Sequence, residues 1–138
     1  MTFRFGLRSK AALLGVHPDL IAVAYRALQL STVDFTVTEG VRSLARQRQL
    51  FAEKKSKTLN SRHIGGFAID VAALVGGKVT WDWAPYEAIA VAFKQAANEL
   101  GIDLEWGGDW KTFKDGPHFQ LSHAAYPERR DAAGGEQA

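Results

Sequence analysis

Ser61–Asp70 reads SRHIGGFAID, a decapeptide that fits Ser-x-His-x-x-Gly-x-Ala-x-Asp, and a second histidine follows in Asp115-Gly-Pro-His118-Phe. Two imidazoles and a carboxylate (His63, Asp70, His118) make a donor set for a divalent metal. A catalytic zinc takes three such protein ligands and leaves its fourth position open. His63 and Asp70 are too far apart for one helical turn, so they bracket a loop that enters a strand. Gly65 and Gly66 permit tight backbone in that loop, Ala68 leaves room beside an ion, and His118 arrives from a neighbouring strand. A bound ion would lower the pKa of its water from about 15.7 to about 7 and polarise a scissile carbonyl. Asp115, three positions before His118 on a loop reversed by Gly116-Pro117, is placed to act as the base that takes the water's proton. A lone histidine or aspartate carries little weight, since most are surface or capping residues. The joint spacing lifts these four above that background, and it points to a zinc hydrolase.

The remaining histidines, His17 before Pro18 and His123 near the C-terminus, read as surface or capping residues. Arg42, in Glu39-Gly-Val-Arg42-Ser43, supplies a cation that can meet a developing oxyanion, a role typically worth about 2.7–4 kcal/mol. The four tryptophans (Trp81, Trp83, Trp106, Trp110) read as core and pocket wall rather than as sugar-stacking platforms.

Working outward, the chain of 138 residues has the size of one domain. Its 46% hydrophobic and 23% charged residues are ordinary for a globular protein. The absence of cysteine excludes disulfides, thiolate catalysis and Cys-type zinc sites. No segment has the 18 or more apolar residues of a membrane span, so no stable membrane insertion is expected. The basic N-terminus is followed by an apolar stretch, Ala11–Val16, that is short for a signal peptide. The net charge of +2 is unevenly spread. Residues 1–62 carry eleven Lys and Arg against four Asp and Glu, a net of +7, and residues 63–138 carry six against eleven, a net of −5. A basic half of this kind can steer the protein to an anionic polymer such as a cell wall, lipopolysaccharide or nucleic acid, although the plainer reading is several solvated helix faces.

Apolar positions at helical spacing predict a helix from Pro18 to about Leu30. Asp34–Glu39 alternates as a half-buried strand, Arg42–Glu53 reads as a polar-faced helix, and Lys54–Asn60 as a loop. Phe67–Ala72 has the short apolar run of a central strand, and Gly76-Gly77 turns it back into Lys78–Thr80. The longest helix is expected from Tyr86 to about Leu100, stopped by Gly101. Leu104–Trp106 and His118–Leu121 are further strands. Residues 128–138 lack apolar mass and read as a disordered tail. The irregular mixture of elements makes the class α+β.

The decapeptide, the Trp106-Gly-Gly-Asp-Trp110 run and Asp115-x-x-His118 resemble the D-alanyl-D-alanine carboxypeptidase/LAS zinc peptidase superfamily. Within it the chain is most similar to the phage-type L-alanyl-D-glutamate endopeptidases, the endolysins of T5-like phages and their prophage relatives. Phe5-Gly6, Leu28-x-Leu30-Ser31-x-x-Asp34-Phe35-Thr36 and Gly40-Val-Arg42-Ser43 carry the same likeness, which runs from about residue 3 to residue 127. The resemblance implies a small single-domain fold of the LAS/hedgehog type over residues 1–127, a central antiparallel sheet with flanking helices. It implies zinc on His63, Asp70 and His118, Asp115 as general base, and Arg42 polarising the substrate carbonyl or binding its carboxylate. Ser61, Arg42 and Trp110 would contact substrate, with Ser61 not a nucleophile. The partner implied is the peptide stem of peptidoglycan, cut between L-Ala and D-Glu, with no nucleic acid involved; no long apolar stripe is left over, so a monomer is expected. The protein would be made in a host cytoplasm and reach the periplasm and wall at lysis. Some family members carry Glu at the positions of Asp115 and Gln120; the shorter Asp fits the endolysin branch better than the dipeptidase branch.

Other functions use related residues. A D-Ala-D-Ala-type carboxypeptidase shares the ligand set, and a non-catalytic zinc-bearing wall-binding module shares the fold, although the retained Asp115 argues against it. A non-haem iron oxygenase also uses two histidines and a carboxylate, but its usual His-x-Asp order differs from the spacing of His63 and Asp70.

Overall fold

A computed structural model describes residues 3–56 and 58–127. The tail expected from residue 128 onward lies outside the described residues. In chain order the elements are α1 (Leu7–Ala12), α2 (Pro18–Leu30), β1 (Asp34–Glu39), α3 (Leu44–Ala52), β2 (Ala68–Val75), β3 (Lys78–Thr80), α4 (Trp83–Leu100), β4 (Leu104–Trp106) and β5 (His118–Leu121), with one 3-10 turn at Gly107–Asp109. The strands form an antiparallel sheet in the order β1-β2-β5-β4, and β3 pairs with β2 as a hairpin. The fold is α+β, as the mixed pattern predicts. Among the described residues no helix is long and apolar enough to cross a membrane.

Strand alternation divides the sheet into two chemically distinct faces. Phe35 and Val37 of β1, Ile69, Val71 and Ala73 of β2, and Phe119 and Leu121 of β5 join one core with Leu20, Val23 and Ala27 of α2 and Ile89, Phe93 and Ala96 of α4. Phe93 stacks on Phe119 with ring centroids 3.9 Å apart. The intervening residues Asp70, His118 and Gln120 belong to the opposite face, where polar groups can be held. The apolar half of the alternation therefore fixes the sheet, and the polar half is left free for chemistry.

Edge strand β1 is plugged rather than open. Ser9 of α1 accepts a hydrogen bond from the Val37 backbone N–H at 3.0 Å and bonds the Thr36 hydroxyl at 2.7 Å. Tyr86 of α4 does similar service at the hairpin, accepting from the Ala73 N–H and donating to the Thr80 carbonyl.

Three boundaries differ from the sequence-based expectation, each for a local reason. Helix α4 begins at Trp83, because Pro85 falls in its first turn, where a missing N–H costs nothing. Helix α3 begins at Leu44, where the Ser43 hydroxyl caps the Arg46 N–H. Strand β2 runs on to Val75 because β3 pairs with its end. The tryptophans divide: Trp106 is buried, whereas Trp81 is 67% exposed and lies flat against Tyr86.

Gly40, at the end of β1, couples the N-terminal helices to the site. A Cβ there would collide with the Ala12 carbonyl oxygen and crowd Val16, while the Gly40 carbonyl accepts a hydrogen bond from His63. Gly40→Ala is expected to destabilise the fold by about 1–3 kcal/mol, the usual cost of overpacking, and to weaken metal binding in the same variant. Thermal unfolding and a metal-affinity titration on the purified variant check both effects.

Candidate metal centre and cleft

Register brings two ligands together without any loop. Asp70 on β2 and His118 on β5 are direct cross-strand partners, and both lie on the sheet face opposite α2 and α4. The His118 Nδ1 lies 3.2 Å from Asp70 Oδ1. His63 comes from the loop ahead of β2, with Nε2 3.4 Å from the same carboxylate oxygen. One donor atom from each of the three residues lies within 4.8 Å of the others. The set of two imidazole nitrogens and one carboxylate, closely grouped and largely buried, fits a divalent ion.

The His63 loop is fastened at several points. Of its two glycines, Gly66 takes the left-handed conformation, with φ +79°. A Cβ on Gly66 would sit 2.8 Å from the Gly15 carbonyl oxygen, and its own carbonyl accepts from the His17 N–H. Arg62 donates to the carbonyls of Leu121 and Ser122 at the end of β5 and lies 4.3 Å over the Phe67 ring. Ser61 accepts from the His63 N–H at 3.1 Å.

Each histidine has its second nitrogen committed, which fixes which nitrogen faces the ion. His63 donates from Nδ1 to the Gly40 carbonyl at 2.9 Å, leaving Nε2 as the donor to metal. His118 donates from Nε2 to the Gln120 side-chain oxygen at 2.8 Å, leaving Nδ1. Gln120 in turn donates its amide to Glu105 at 3.2 Å, which sets the orientation of that amide. The two imidazoles therefore present different nitrogens to one point.

The charges respond to this packing. Burial acts to raise the Asp70 pKa, but hydrogen bonds and charge from His118 and His63 outweigh it and hold the carboxyl well below the usual range. Burial acts to lower His118, and Asp70 overrides it, so that imidazole sits above its ordinary value. Asp115 moves the other way from Asp70. Its burial and the nearby negative charge of Asp70 push it above the ordinary carboxyl range, the direction that suits a proton acceptor working near neutrality.

Asp115 lines the same cleft as the three ligands. Its loop is bound to the Trp106–Trp110 run: Asp115 N–H donates to the Gly107 carbonyl, and the Trp106 indole donates to the Gly116 carbonyl at 2.7 Å. Gly107 must be glycine, since a Cβ would meet Asp115 and His118 at close range. Arg42 is 9% exposed and reaches the cleft from behind. Glu39 grips it through Nε and Nη2, Gln47 and Ser61 accept from Nη1, and Nη2 lies 3.7 Å from Asp70. Trp110 is half-buried, its ring 5.1 Å from that of His118. His17 caps α2 by accepting from the Asp19 N–H, and His123 sits exposed at the cleft rim. Sequence reasoning had no signal for Glu105, Gln47 or the Gly40 carbonyl, and knew Gln120 only as a departure from the family pattern.

A small α+β domain with a two-histidine, one-aspartate centre and a carboxyl raised beside it is that of a metal-dependent hydrolase. The profile of the family described as phage L-alanyl-D-glutamate peptidase matches residues 1–122. The L-alanyl-D-glutamate peptidase of Escherichia phage T5 is 41% identical over 130 residues, covering 91% of this chain and 94% of that protein. The peptidoglycan L-alanyl-D-glutamate endopeptidase CwlK of Bacillus subtilis is 34% identical over 105 residues, covering 64% of this chain and 61% of that protein. The crystal structure of Serratia marcescens L-Ala D-Glu endopeptidase ChiX superposes with a TM-score of 0.87 at 54% identity, over 91% of this chain and 95% of that one. The chain belongs to the phage L-alanyl-D-glutamate peptidase family.

Because Gln120 fixes the His118 tautomer, Gln120→Leu should leave the fold intact and weaken metal binding by about 10–100-fold, the usual cost of losing such a partner. Glu105→Ala should act in the same direction and less strongly. Competition against a chelator of known affinity measures both.

Proposed function

We propose that the protein is a zinc endopeptidase that cuts the L-Ala–D-Glu bond in the peptide stem of peptidoglycan. The observation that carries this is the register pair Asp70–His118, joined by His63 and faced by Asp115, in a chain of this family. His63 Nε2, Asp70 and His118 Nδ1 would hold the ion. When bound, zinc supplies a water acidic enough to attack near neutral pH and a Lewis acid for the scissile carbonyl.

The chain's own residues do the rest. Asp115 takes the proton of the attacking water and returns it to the departing D-Glu amine, so protons balance across the cycle. Arg42 is held rigid by Glu39 and Gln47, which fixes a positive charge at the cleft floor for the carbonyl oxygen or a substrate carboxylate. Ser61 orients the Arg42 and His63 groups it bonds and borders the substrate path. Trp110 walls the cleft beside His118.

A monomer is proposed as the working unit. Synthesis in a host cytoplasm and access to the wall at lysis is the matching life history, supported by the relative from phage T5.

Digestion of purified muropeptides followed by mass spectrometry tests the reading. New N-terminal D-Glu, abolished by chelator and restored by zinc, is expected; released D-Ala would instead make it a carboxypeptidase. Asp115→Asn should keep its metal and lose about 100-fold or more in rate, the scale of general-base catalysis. Near-full activity in that variant would remove Asp115 from the mechanism.

A further inference from the structure

The cleft encloses about 990 Å³, the upper end of the roughly 300–1,000 Å³ range of small-molecule sites. It is more than one peptide bond and its flanking side chains require. Its two walls differ. One is formed by α3 and the chain that follows it, and presents Arg46, Lys55, Thr58 and Asn60. The other is the segment from Trp110 to Lys114, which carries the cleft's tryptophan and phenylalanine among the described residues. Cations stand on both walls, Lys111 and Lys114 on the second, so charge does not tell them apart. Aromatic surface does.

Phe113 is 69% exposed and adopts φ +52°, a conformation that side chains other than glycine seldom take. Such a backbone persists where the surrounding structure enforces it, often at a functional surface. Phe113 thus offers a large, exposed apolar ring to the cleft it lines, and Trp110, three positions earlier, stands with its ring 5.1 Å from that of His118.

The substrate is asymmetric in the same sense. L-Ala is the first residue of the stem, and its amine is linked to the lactyl group of N-acetylmuramic acid. On the far side of the cut, D-Glu and the residues after it bear free carboxylates. One residue of extended chain spans only about 3.3–3.6 Å, so the sugar is held close to the metal site. The C–H faces of a neutral pyranose suit aromatic rings, and carboxylates suit cations and hydroxyls.

We propose that Trp110 and Phe113 form a muramyl-sugar subsite, which revises the sequence reading of Trp110 as pocket wall alone, and that the stem crosses the metal site from this segment toward α3. The inference rests on the reading that the L-Ala–D-Glu bond is the one cut. Binding energy gained on the sugar is available to the transition state, so substrates lacking it lose turnover as well as affinity.

The test compares kcat/KM for two substrates with the same scissile bond: a muramyl-L-Ala-γ-D-Glu peptide, and the same peptide with an N-acetyl cap in place of the muramyl group. The wild type is expected to favour the muramyl substrate by about tenfold or more. Phe113→Ala should lose most of that preference, and Phe113→Tyr should keep it. Taking a ratio within each variant removes any shared effect on folding or metal content. Equal hydrolysis of both substrates by the wild type, or an undiminished preference in Phe113→Ala, overturns the subsite. If the wild type cuts neither substrate, the assignment of the scissile bond falls, and this inference falls with it.

Discussion

Everything at the metal centre depends on one antiparallel pairing, β2 against β5 in a single register. It sets Asp70 opposite His118 on the polar face and puts Ile69 and Phe119 in the core. A slip of one residue would reverse both faces at once, burying the carboxylate among aromatics and turning phenylalanine toward the cleft. The stacked rings of Phe93 and Phe119 thus contribute to ligand geometry without touching a ligand. Large apolar side chains on one face are the reason small donor distances hold on the other.

The remaining parts of the site are loops, and each is tied to that pairing. Arg62 fixes the His63 loop to the end of β5, and the Pro117 carbonyl accepts from the Val71 N–H beside the ligand pair. The Trp106–Trp110 run holds the Asp115 loop by a carbonyl and an indole. Loops are the usual carriers of function on rigid scaffolds. Here each is tied to the sheet or to a neighbouring loop by the hydrogen bonds named above.

Much of this was legible from residue order. The three donors, the strands bearing two of them, the α2 helix and the left-handed stop at Gly101 all follow from spacing and turn chemistry, because those signals are local. Other features were hidden because they arise only between distant segments. Glu105 reads as an ordinary strand glutamate until β4 lies beside β5 and its carboxylate meets Gln120. Gly40 reads as a turn residue, but it is required by the approach of the Ala12 carbonyl and by the acceptor it offers His63. Trp81 has core chemistry by composition, yet it remains on the surface, stacked on Tyr86. The resemblance picked out the Trp106–Trp110 run, and the structure supplies its physical purpose, a brace under the loop of Asp115.

Asp70 and His118 are 48 positions apart in the chain, so the centre cannot form until β5 has been made. A polypeptide still lacking β5 has at most two of the three donors and no partner strand to orient them. Closing so long a loop is entropically costly until the whole sheet can repay it. Metal capture is thereby reserved for the finished domain, and its binding energy adds to the stability of that state alone. Truncated or misfolded copies would lack the complete centre, so the order of the strands itself acts as quality control on hydrolysis.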